Sequence, residues 1–156
     1  PGRYATDEQT ATAVTLMETV GRVMVVPEKQ MDAVTALSGS GPAYFYLMVE
    51  ALIDAGVGLG LTRAQAAELA GQTLRGSGLL LSESGVSPVE ARAAVTSPAG
   101  TTAAALRELE RYGLRHAVGE AARAAAQTSQ AAARRVEVET SRPGQPVPGE
   151  LGLGDA

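Results

Sequence analysis

Cysteine is absent from this 156-residue chain, which removes disulfide staples and thiolate metal ligands together and suits a reducing compartment. Histidine is nearly absent: His116 stands alone within a helical pattern. No metal site is therefore expected, and a serine–histidine relay would rest wholly on that one residue. Basic residues are few and scattered, 13 Lys and Arg against 17 Asp and Glu, so the clustered positive charge that nucleic-acid binding needs is missing. Long apolar runs are missing too. The longest, Ala43 to Ile53, is broken by Glu50 and followed by Asp54, well short of the roughly 20 residues that a membrane span requires. No signal-peptide pattern, Walker sequence, nucleophile elbow or internal repeat is found, and a cytoplasmic location is expected.

Strand-forming sequence is also scarce. Val23-Met24-Val25-Val26, closed by Pro27, is the one good candidate and reads as a buried strand covered on both faces. Thr6-Asp7-Glu8-Gln9 ahead of it has the form of a capped helix start that Gly21 closes. One helix and one strand make no sheet, so residues 1 to about 27 read as the end of a larger α/β domain, and the chain as a possible fragment.

Beyond Pro27 the pattern is helical. Gly39-Ser40-Gly41-Pro42 reads as a sharp break leading into a helix from Tyr44 to Gly56. That helix is apolar nearly all round, with Glu50 and Asp54 as its thin polar edge, so it should be buried, most naturally by a second copy of the chain. Thr62-Arg63-Ala64-Gln65 is a capping-box pattern, and the helix it starts should turn Ala66, Leu69, Ala70, Thr73, Leu74, Leu80 and Leu81 to the core. Ser87-Pro88-Val89-Glu90 starts a short helix, a further helix runs from about Thr101 to Tyr112 and stops at Gly113, and an alanine-rich helix spans about Leu114 to Val136. The Pro/Gly-rich sequence beyond Glu139 reads as a disordered tail.

The most informative segment is Val95 to Glu110, a small-residue, hydroxyl-rich loop set directly ahead of an amphipathic helix. First-turn N–H groups and the hydroxyls of Thr101 and Thr102 converge there, and Ala99-Gly100 adds no bulk, so a small carboxylate can approach the main chain. Read locally, the same pattern is more often a structural cap alone. Gly39-Ser40-Gly41 does not complete a dinucleotide-binding fingerprint, because Tyr44 stands where the third glycine belongs. The pair Glu50 and Asp54, and Glu83 at a helix end, admit either a solvated edge or a chemical role.

Val95-Thr96-Ser97-Pro98-Ala99-Gly100-Thr101-Thr102, with Ala105-Leu106 and Leu109-Glu110, closely resembles the signature of the pyrroline-5-carboxylate reductase family. Asp32-Ala33-Val34-Thr35-Ala36-Leu37-Ser38-Gly39-Ser40-Gly41-Pro42-Ala43-Tyr44 is similar to that family's entry into its helical domain, and the likeness runs collinearly over about residues 4 to 135. It implies an all-α, interleaved helical dimerisation and substrate-binding domain at 29–138, the end of a Rossmann-type dinucleotide-binding domain at 1–28, and a tail at 139–156. It also implies reduction of 1-pyrroline-5-carboxylate to proline by NADPH or NADH in a homodimer. The main chain around Gly100, Thr101 and Thr102 would hold the substrate carboxylate, and the Thr102 hydroxyl, the expected catalytic group, would meet the ring nitrogen. Glu83 matches a position near the substrate. Ala99 replaces a common glycine, and Ala94 stands where an asparagine is frequent near the cofactor, so no cofactor-binding residue is assigned. The glycine-rich nucleotide cradle is missing from these residues, and turnover by the chain alone is not expected. The alternative is a noncatalytic helical module that pairs with itself or with a full-length reductase. Cofactor preference and any assembly beyond a dimer are not legible.

Overall fold

The computed structural model describes Gly2 and residues 4–140. Its contacts divide the chain into two compact units, Pro1–Leu37 with Ala122–Ala156, and Ser38–Ala121. The expected tail falls almost wholly outside the described residues.

In the first unit, helix α1 (Asp7–Glu18) begins with a full capping box: the Thr6 hydroxyl accepts from the Gln9 N–H, and the Gln9 side chain accepts from the Thr6 N–H. The stretch after it corrects the strand expectation. No strand forms among the described residues, and Met24 and Val25 are exposed in place of being covered on both faces. A strand exists only as a member of a ladder, and none of the described residues offers Val23–Val26 a partner. The segment lies beside α1 and, with Ala13, Val14 and Met17, lines an apolar groove of about 330 Å³. A 3₁₀ turn (Glu28–Gln30) and α2 (Met31–Val34) come next, succeeded by a π-helical turn over Thr35–Gly39.

The expected break at Gly39–Pro42 is milder than the sequence suggests. Ser40 keeps helical angles (φ −85°, ψ −21°) and offers no side-chain cap, so the chain changes helical pitch there without leaving helical space. Helix α3 (Gly41–Gly58) starts directly, with Pro42 in its first turn, where its missing N–H costs nothing. It ends in a Schellman arrangement: Gly60 takes φ +100°, its N–H donates to the Val57 carbonyl, and the Leu61 N–H reaches back to the Gly56 carbonyl. That turn launches α4 (Arg63–Glu83) through the Thr62/Gln65 box, and Arg63 ties it back to Asp54 at 2.7 Å.

The two helices pack through very small residues. A Cβ built on Gly56 would lie 2.9 Å from the Ala66 Cβ, so glycine is what allows the helices this close. Among the described residues the buried hydrophobic side chains are Ala36, Ala66 and Ala70 alone. The larger side chains expected in the core are not in it: Leu69 is 59% exposed and Leu80 49%, and on α3 Phe45 is 58% and Leu47 67% exposed. The helical faces are where the sequence puts them, but none of the described residues covers them.

Helix α5 (Pro88–Ala94) starts from a third capping box, in which the Glu90 carboxylate accepts from both the N–H and the hydroxyl of Ser87. Those hydrogen bonds hold the Glu90 carboxyl below its ordinary range. Helix α6 (Thr101–Arg111) stops at Gly113, which takes φ +73° as its position requires, and α7 (Leu114–Thr140) succeeds it.

Candidate functional site

The loop between α5 and α6 is built from its proline outward. Pro98 presets one corner, Ala99 takes φ +58°, and the Gly100 N–H closes on the Ser97 carbonyl at 3.1 Å. Those are the marks of a type II turn, whose third position normally belongs to glycine. Ahead of it, Thr96 is anchored to α5: its N–H donates to the Ala93 carbonyl and its hydroxyl to the Arg92 carbonyl at 2.6 Å. Alanine at Ala99 carries the left-handed penalty of about 1–2 kcal/mol, partly offset because alanine also restricts the unfolded chain. Ala99→Gly should therefore stabilise the chain by about 0.5–1 kcal/mol, read as a higher midpoint in urea unfolding.

Gly100 is the N-cap of α6, in extended conformation and with no side chain to bond the helix. Its own N–H is spent on the turn. The amides of Thr101, Thr102 and Ala103 are then the unpaired donors of the first turn, since the ladder begins with Ala104 donating to the Gly100 carbonyl at 3.1 Å. The contrast with α1, α4 and α5 is chemical: those helices close their first turn with their own Thr or Ser and Gln or Glu, whereas α6 leaves its amides open. The threonine hydroxyls differ as well. Thr10, Thr12 and Thr15 of α1 each donate to the carbonyl four residues back, Thr10 reaching its N-cap, but Thr101 and Thr102 make no side-chain hydrogen bond among the described residues. Thr101 is exposed and Thr102 half-buried.

Gly100 has a second role that composition does not reveal. A Cβ on it would displace the Ser97 hydroxyl and sit 3.2 Å from the Ser97 carbonyl, so the turn is tightest over glycine. Of the residues singled out in the sequence, the fold brings Gly100, Thr101 and Thr102 to one edge of α6. Glu83 is the last residue of α4, exposed, and shares no hydrogen bond or ion pair with that edge. The Ala103 amide belongs to the same first turn but is not named by the residue types; counting free donors inward from the N-cap identifies it.

No set of three or more His, Cys, Asp or Glu able to hold a metal ion occurs among the described residues. Nor is there a strand–turn–helix with a glycine-rich turn, so these residues do not fit a dinucleotide pyrophosphate and no cofactor step is assigned to them. Among the described residues no helix is long and apolar enough to cross a membrane.

The family model for pyrroline-5-carboxylate reductase dimerisation matches residues 28–132. The chain is 53% identical to the pyrroline-5-carboxylate reductase of Mycobacterium leprae, over 80% of this chain and 48% of that protein. It is 50% identical to the Synechocystis enzyme of the same name, over 79% and 46%. Among solved structures it resembles a Coxiella burnetii pyrroline-5-carboxylate reductase (TM-score 0.78, 39% identity, 83% of this chain and 48% of that one). A Plasmodium falciparum pyrroline carboxylate reductase with NADP bound is similar (TM-score 0.76, 35% identity, 83% and 52%). The chain spans about half the length of the curated relatives it matches. With the model match covering the helices that carry the loop, the chain belongs to the pyrroline-5-carboxylate reductase dimerisation family.

Proposed function

We propose that this chain is the dimerisation and substrate-binding part of an NAD(P)H-dependent reductase that converts 1-pyrroline-5-carboxylate to proline in the cytoplasm. The observation that carries the reading is the open first turn of α6, where the amides of Thr101, Thr102 and Ala103 and the hydroxyls of Thr101 and Thr102 have no partner among the described residues. The substrate is a small ring bearing a carboxylate beside a C=N bond. Its carboxylate accepts hydrogen bonds from the free amides at the positive end of the helix dipole. The Thr102 hydroxyl donates to the ring nitrogen, and the carbon to be reduced is thereby held in one orientation. NADPH or NADH supplies the hydride from a nucleotide-binding domain that these residues do not form. Glu83 lines the substrate's approach only if α4 is brought to the site by that domain or by a second chain. The division into residues 1–28, 29–138 and 139–156 belongs to the same reading.

The activity test mixes the chain with 1-pyrroline-5-carboxylate and NADPH, alone and with the separately produced nucleotide-binding domain of a relative. Turnover is expected only in the mixture. Thr102→Ala should lower it about tenfold, the loss of roughly one hydrogen bond, with an unchanged melting curve. Failure of the mixture at every concentration would replace the enzyme by a noncatalytic pairing module.

Dimerisation is proposed on separate grounds. A chain whose buried hydrophobics among the described residues are three alanines while Phe45, Leu47 and Leu52 stay exposed has its core still to make, and a second copy supplies it as a large, apolar, two-fold interface. Sedimentation equilibrium is expected to give twice the chain mass with no folded monomer on dilution. A folded monomer at nanomolar concentration would refute the dimer.

A further inference from the structure

The helices on either side of the loop are linked by an electrostatic clamp. Glu110, in the last turn of α6, accepts a hydrogen bond from the Arg115 Nε of α7 at 2.7 Å, and the Arg92 guanidinium of α5 lies 4.0 Å from the same carboxylate oxygen. One carboxylate thus answers two cations, one from the helix before the loop and one from the helix after α6. Arg92 is also the residue whose carbonyl receives the Thr96 hydroxyl, so the clamp and the loop share an anchor. Beneath it, Leu106, Leu109, Leu114 and Val118 line an open groove of about 430 Å³, so the polar contacts are what bridge the helices at this point. The Arg115–Glu110 hydrogen bond is directional, and the Arg92 contact adds charge attraction at 4.0 Å.

We propose that Glu110 is a positioning residue: by joining Arg92 of α5 to Arg115 of α7 it sets the geometry of the 95–100 loop, and so the aim of the amides of Thr101, Thr102 and Ala103. The inference rests on the reading of those amides as a carboxylate site. Glu110 itself stands at the opposite end of α6 and touches no substrate.

All three side chains are about half-exposed or more, and pairs of this kind contribute modestly. The expected effects are accordingly graded. In the 156-residue chain, Glu110→Gln should speed hydrogen exchange of the Thr96 and Gly100 amides about three- to fivefold, with exchange inside α3 and α4 unchanged. It should weaken L-proline binding, measured by NMR titration, by a similar factor. Arg92→Ala should act likewise, and the double variant should be no worse than Glu110→Gln alone, because both substitutions remove the same Arg92–Glu110 ion pair. Arg92→Lys, which keeps the charge, should recover most of the loss. Unchanged exchange at Thr96 and Gly100 in Glu110→Gln, or strictly additive effects in the double variant, overturns the positioning role. The exchange effect in Glu110→Gln together with no L-proline binding by the wild-type chain overturns the carboxylate site and leaves the clamp as a purely architectural device.

Discussion

Gly56→Ala should cost the chain about 2 kcal/mol of stability, the largest effect expected from the addition of one methyl group. The new Cβ would stand 2.9 Å from that of Ala66, and Ala66 is 3% exposed with no room to retreat. Overpacking of this kind forces helices apart at a cost of about 1–3 kcal/mol. Alanine's better helix propensity returns at most about 1 kcal/mol, and less so close to the helix end. Gly58→Ala is the control: two residues on, a Cβ meets nothing within 4 Å, and that variant should be neutral or slightly stabilising. Urea unfolding of both variants decides the matter. Equal midpoints would mean that the α3–α4 approach is not what glycine is for.

Gly100→Ala should abolish at least nine-tenths of the turnover of the reconstituted enzyme while the helices melt as before. The collision is with Ser97, whose carbonyl closes the turn and whose hydroxyl occupies the space a Cβ would need. To admit a Cβ the Ser97 hydroxyl must rotate aside and the carbonyl must give slightly, which shifts the first amides of α6, and small displacements are costly in an orienting site. Ser97→Ala in the same chain removes half of the collision and should restore part of the rate. Full activity in Gly100→Ala would place the substrate elsewhere.

The sequence is most legible where four neighbouring residues decide the outcome. The starts at Thr62-Arg63-Ala64-Gln65 and Ser87-Pro88-Val89-Glu90, and the stop at Gly113, stand where the residue types put them because capping is a matter of local hydrogen bonds. Apolar periodicity is less informative. It places Leu69 and Leu80 on a face but says nothing about whether the covering surface lies in the same chain, and both are exposed here. Val23–Val26 carries the same ambiguity, since an apolar run rich in valine announces a strand only to a partner. The Gly56–Ala66 approach depends on the register of two helices, and no single window of sequence contains it. At the loop, residue types point to the turn and to the helix start after it. Which amides remain free depends on the Ser97–Gly100 hydrogen bond, and that is a property of the folded turn.

The self-contained boxes at Thr6, Thr62 and Ser87 have a consequence for the order in which the molecule acquires structure. Each can start its helix as soon as its own residues have left the ribosome, because every bond it needs lies within three positions. The helix beginning at Thr101 has no such starter and must borrow its orientation from neighbours already in place. It should therefore be a late arrival in the folding sequence, with low φ-values at Thr101 and Thr102 and high ones at Thr62 and Gln65.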